Sequence, residues 1–250
     1  MRMCRFIDTN RSRFQYTDYP LVYSPNNFEP GVHGMMSMVE YLKELKRNFP
    51  ELKLTGNCVE MGLATFGFPY LDALPFEVAS VTGWNFGDKD LNYRRCMAYH
   101  RYVAAHECSK LYDNIGRVKM QQLWEYVNKS LFYGIYPLLK DDFFENCNYN
   151  LARPVYKKII PIIDELFLAG WEPITYAKTN NGVWIERFGK GSNIYFTVRN
   201  EENYTKEYTI EINSTALNLG DDVFIMEMLS NEEVSYETAS GKILSLIHIS

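Results

Sequence analysis

Several apolar runs in the first half of this 250-residue chain close on acids or amides. Arg5–Asp8 ends in Asp8, with Asn10 two residues on. Leu52–Cys58 carries Asn57 and is followed by Glu60, Tyr70–Val78 holds Asp72 inside it and Glu77 near its end, and Lys110–Asp113 ends in Asp113 beside Asn114. Carboxylates converging on one mouth are the raw material of glycoside hydrolysis, in which one acid protonates the leaving oxygen while the other attacks the anomeric carbon or activates water. Each has a structural alternative. Asp8 can close a turn or pair with Arg11, Glu60 can be a solvated loop acid, and Asp72 can be a packed, hydrogen-bonded acid inside a strand. Asp88 and Asp90 stand where helix caps are expected. His33, His100 and His106 have no neighbour at catalytic or metal spacing and read as structural.

Such residues act together only if the fold brings the strand ends to one edge. Besides the four runs above, Leu131–Tyr136 reads as a strand, and the intervening spacing predicts helices over Met35–Asn48, Asp90–Ala105, Val118–Lys129 and Arg153–Ala169. Strand–helix alternation implies a parallel sheet in an α/β fold. The expectation is a partial (β/α)8 TIM barrel, about the last five βα units, with catalytic residues at the carboxyl ends of its strands. A doubly wound open sheet is the alternative, and neither GxGxxG nor a P-loop follows any strand to support it, so no cofactor is expected.

From Trp171 onward the pattern changes from helical to alternating, with turns on Asn and Gly, as in "VWIERFGKGSNIYFTVRN". The chain therefore reads as residues 1–170, the carboxyl-terminal part of a barrel domain, then 171–243, a small antiparallel β-sandwich. The closing heptapeptide "LSLIHIS", residues 244–250, reads as a non-native, adapter-like tail, with a last strand Ile243–Ile249 as the alternative. The first strand begins almost at once, which fits a chain that continues upstream.

A net charge of −5, with no cationic cluster denser than Tyr93-Arg94-Arg95 or Lys157-Lys158, leaves no footprint for nucleic acid or an anionic membrane. The five cysteines are scattered, odd in number and without CxxC or Cys/His metal spacing, so neither a disulfide framework nor a metal site is expected. That usage points to a reducing compartment but leaves the localisation open. Aromatic residues make up 15% of the chain, and their flat faces suit wet sites such as sugar pockets as well as ordinary cores. Tyr70, Trp84 and Tyr136 are the candidates for stacking on a sugar ring. Asn10, Asn57, Asn85 and Arg94 are candidates for binding its hydroxyls.

The stretch "FIDTNR", Phe6–Arg11, resembles the strand-four motif of the α-galactosidase-like retaining glycosidases, in which a strand ends in the Asp nucleophile. The order that follows is similar: "GNCVEMG" at the next strand end, the loop "VTGWNFGDKD", then the Arg-bearing "LNYRRCMAYHRY" and a β-sandwich. The resemblance implies Asp8 as nucleophile and an acid near the later strand that Glu77 ends, with Asp88 as the runner-up and an oligosaccharide or glycoside as substrate. A non-catalytic carbohydrate-binding protein with a barrel-like body is the competing reading.

Overall fold

The computed structural model describes residues 7–56, 63–78, 87–107, 111, 117–138, 147–179, 182–202, 204–220 and 222–249. It opens with a short strand β1 (Ile7–Asp8), a 3-10 turn (Arg11–Tyr16) and a hairpin of β2 (Val22–Ser24) and β3 (Glu29–His33). These form an antiparallel sheet in the order β1-β3-β2. The approach of β1 to β3 depends on Gly31, where an added Cβ would fall 2.5 Å from Ile7 Cγ2 and 2.8 Å from the Asp8 carbonyl oxygen. His33 then starts α1 (Gly34–Asn48), its Nδ1 accepting from the Met35 amide at 3.2 Å, and Met35 and Val39 face inward one turn apart.

Next come β4 (Ala73–Val78), α2 (Asp88–Ala98), β5 (Tyr102–Glu107), α3 (Met120–Tyr133), β6 (Tyr136–Leu138) and α4 (Cys147–Ala169). The strands lie parallel in the order β4-β5-β6, and Thr55 adds a parallel bridge to Ala73 on the outer side of β4. The order follows the chain without reversal, and among the described residues the sheet does not close. Both faces are covered. Leu74, Phe76, Val103 and Ala105 pack with Leu91 and Ala98 of α2, while Ala104 and Tyr136 pack with Leu123 and Val127 of α3 and Ile159 and Ile163 of α4.

Several elements depart from the sequence reading. β1, expected as a parallel strand of the barrel, pairs antiparallel with β3 in a sheet separate from β4-β5-β6. Tyr102–Ala105, expected as the end of a helix, belongs to β5 (Tyr102–Glu107), the central strand of the sheet: α2 stops at Ala98, and His100 takes a left-handed φ of 60°. A strand buried on both faces does not alternate, so "YVAAHE" offers no period-2 signal. Leu131–Tyr133, expected in a strand, completes α3, because Gly134 at φ 62° caps the helix there and Ile135 N bonds back to Ser130 O.

Beyond α4 the chain turns at Gly170 (φ 81°), whose hydrogen side faces the His100 ring so closely that a Cβ would lie 2.2 Å from it. The remainder is antiparallel: β7 (Trp171–Glu172), β8 (Ala177–Thr179), β9 (Val183–Phe188), β10 (Tyr195–Asn200), β11 (Lys206–Asn213), β12 (Met226–Glu227), β13 (Glu232–Glu233), β14 (Glu237–Ala239) and β15 (Lys242–Ile249). Sheets β10-β9-β7 and β14-β15-β11-β8 share one apolar core built on Val183, Tyr208, Ile210, Ile212 and Ile243. Residues 244–249, read from the sequence as a tail, continue β15 and pair with β11 up to Lys206↔Ile249. The antiparallel part is fastened to the helices: Thr197 Oγ1 donates to Phe132 O at 2.7 Å, and Arg95 pairs with Glu186 at 3.0 Å. No helix among the described residues is long and apolar enough to cross a membrane.

Candidate functional site

Asp8 ends β1 with both carboxylate oxygens engaged. Oδ1 accepts from the Asn10 amide at 2.9 Å, and Oδ2 accepts from Arg13 Nη1 at 2.5 Å. Asn10 in turn accepts from the amide and hydroxyl of Ser12, starting the 3-10 turn that carries Arg13 back over the strand end. The Asn10 amide, and then the Arg13 guanidinium, hold the Asp8 carboxyl below its ordinary pKa of 3.8, so it is ionised at neutral pH. Its side chain retains 18% exposure, which keeps the oxygens reachable.

The direction of the parallel strands sorts the other candidates. Glu77 lies near the carboxyl end of β4, and the register sets it beside His106 of β5; its side chain lies outside the described residues. Tyr70 and Asp72 precede β4 and Tyr136 begins β6, so these three stand at the opposite, amino edge. Asp72 is a brace there, its Oδ2 accepting from Lys46 Nζ at 2.6 Å and from the Leu54 amide at 2.8 Å. Tyr136 is buried, stacked on Tyr102 with centroids 4.2 Å apart, and donates its hydroxyl to Asp164. Tyr70 is half-buried at the end of a 3-10 turn, Leu63–Tyr70. These three therefore stand apart from the carboxyl edge that carries Glu77. Arg94 is buried as well, its guanidinium 4.0 Å above the Phe76 ring. Glu60, Asn57, Trp84, Asn85 and Asp113 lie outside the described residues.

Asp88, in the first turn of α2, is the centre of a charged cluster. Oδ1 accepts from Tyr133 Oη at 2.8 Å and from Arg199 Nη1 at 2.5 Å, and Lys129 Nζ stands 3.5 Å from Oδ2. Burial pulls its pKa upward, but Arg199, Tyr133 and Lys129 outweigh that and hold it below the ordinary value. Through these contacts Asp88 ties α2 to Arg199 of β10 and to Tyr133 and Lys129 of α3.

Sequence reasoning named His106 as structural and passed over the partners of Asp88. Arg199 lies 111 residues from Asp88, and no local pattern joins them.

No protein-family model matches this chain, and no curated protein sequence does. Among solved structures, the noncanonic maltogenic alpha-amylase AmyB from Thermotoga neapolitana aligns at 10% identity with a TM-score of 0.47, over 84% of this chain and 56% of that one. The Thermotoga maritima alpha-fucosidase aligns at 12% identity with a TM-score of 0.44, over 87% of this chain and 46% of that one. The chain thus spans about half the length of the solved structures it matches. Likeness at this level equates no residue of this chain with a residue of those enzymes.

Proposed function

We propose that this chain carries the catalytic carboxylates of a retaining glycoside hydrolase, on a carboxyl-terminal arc of a (β/α)8 barrel followed by a β-sandwich. The observation that carries the reading is the Asp8 carboxylate, held ionised at a strand end by the Asn10 amide and Arg13 while still open to solvent. Asp8 attacks the anomeric carbon as the glycosidic C–O bond breaks, and Glu77 gives its proton to the departing oxygen. Water then cleaves the Asp8–glycosyl ester, with Glu77 taking the water's proton, so that both groups return to their starting states. The two carboxyl groups of such a pair stand about 5 to 5.5 Å apart. In this reading Trp84 and Asn57 supply sugar contacts.

A second reading is favoured by the same geometry: Asp8 closes the Asn10 turn and pairs with Arg13 as a structural acid, and the protein binds carbohydrate without turnover. Kinetics separate the two. With the full chain and a panel of aryl glycosides, Asp8→Asn should abolish turnover. Glu77→Gln should lower kcat/KM by about 10²- to 10⁴-fold on substrates with poor leaving groups and much less on those with good ones, which need little protonation. Near-normal activity of Asp8→Asn, or a Glu77→Gln loss indifferent to the leaving group, overturns the catalytic assignment.

A further inference from the structure

The antiparallel half contains a cleft of its own, far along the chain from Asp8 and Glu77. It has a volume of about 300 Å³ and lies between the end of β7, the β9–β10 turn and the turn after β11, lined by Glu172, Ile174, Tyr176, Lys190, Ile194 and Leu217 among others. Its floor is a buried ion pair. The Glu172 side chain is only 7% exposed, with Arg187 Nη2 3.5 Å from Oε2, and Lys190 Nζ reaches Oε1 at 2.9 Å from the solvent side. Arg187 is fixed in place, donating from Nε to Ile174 O at 2.8 Å and from Nη1 to Gly189 O at 2.9 Å. Lys190, by contrast, is 67% exposed and keeps N–H donors for a ligand.

Tyr176 forms the aromatic wall. It is 40% exposed, and its backbone holds a left-handed φ of 53°, a conformation that costs a non-glycine residue energy and concentrates at ligand clamps. Nothing lies within 4 Å of the position a Cβ would take on Gly191, so the Lys190 side of the cleft is open. An open cleft with an aromatic face, an aliphatic side and an adjacent exposed donor, Lys190, suits a ligand with an apolar ring face and a polar edge. A neutral polyol leaves the Glu172–Lys190 pair intact and accepts from the remaining N–H donors of Lys190.

We propose that this cleft is a second, non-catalytic binding site for a single sugar residue, with Tyr176 as its platform and Lys190, anchored on Glu172, as its hydrogen-bonding group. The site stands whether or not Asp8 is a nucleophile. The test is ligand-observed NMR and calorimetry on the full chain with the methyl pyranosides of glucose, galactose, mannose and fucose. At least one should bind, with Kd on the order of 1 mM, and Tyr176→Ala and Lys190→Gln should each weaken it about tenfold. Tyr176→Phe, which keeps the ring, should bind as wild type does, and so should Asp8→Asn. Circular dichroism of each variant shows that it is folded, and Lys190→Gln alters a solvent-facing side chain. The proposal is overturned if no pyranoside binds, if binding survives Tyr176→Ala and Lys190→Gln, if Asp8→Asn abolishes it, or if leucine binds in the cleft and the pyranosides do not.

Discussion

Replacing Asp88 by Asn keeps the side-chain volume and removes the charge that Arg199, Tyr133 and Lys129 converge on. Arg199 is the partner that suffers: its side chain is only 16% exposed, and Glu201, 3.1 Å away, is its other carboxylate among the described residues. A hydrogen bond between charged groups contributes about 1.5–3 kcal/mol, and an exposed pair about 0–1. With Asp88 at 30% exposure the loss falls between these, about 2 kcal/mol, which for a chain of this size corresponds to a Tm lowered by about 4–8 °C. Thermal denaturation followed by circular dichroism measures it. A double-mutant cycle with Arg199→Met should show a coupling of about 1 kcal/mol or more. The sign of the pH dependence follows from the depressed pKa. The contribution is complete above the ordinary Asp value of 3.8 and is lost as pH falls below it through the folded-state pKa. Wild type should therefore lose its advantage over Asp88→Asn in that acid range. An unchanged Tm, zero coupling, or an advantage that grows on acidification would refute the brace.

Arg13→Gln removes one of the groups that hold Asp8 ionised, so the acid limb of kcat/KM should move to higher pH than in wild type; an unmoved limb would mean that Asp8 does not set it. Gly31→Ala places a methyl group 2.5 Å from Ile7 Cγ2 and should cost about 1–3 kcal/mol by overpacking, with activity falling alongside the displaced Asp8; wild-type stability in chemical denaturation would contradict the tight β1–β3 approach. Deleting residues 244–250 strips the partner strand from Tyr208 and Ile210, both buried, and should lower stability by about 2 kcal/mol or more, the scale of one large apolar side chain. A truncated chain as stable as the full one would restore the reading of those residues as an unpacked tail.

What the sequence disclosed divides by the range of the interactions. The helix at Gly34–Asn48 was legible because Met35 and Val39 repeat at helical spacing, and the late strands because one wet face makes them alternate. β5 was not, since burial on both faces removes the alternation and its two alanines suit a helix equally well. In the site, the turn after Asp8 was visible in Asn10, yet the cation that closes it is Arg13 and not Arg11, because the 3-10 turn brings the former back to the strand end. Asp72 was read from the sequence as a candidate acid or a packed, hydrogen-bonded one, without its partners. Its partner Lys46 lies 26 residues away on α1, so its bracing role needed the tertiary structure.

The central claim, Asp8 as nucleophile, is tested most directly by trapping the glycosyl–enzyme ester. Incubation of the full chain with 2-deoxy-2-fluoroglycosyl fluorides, followed by proteolysis and mass spectrometry, should add one glycosyl unit to the peptide containing Asp8 and none in Asp8→Asn. Label on another carboxylate, on Glu77 above all, or hydrolysis of glycosides with inversion at the anomeric carbon, would contradict the account.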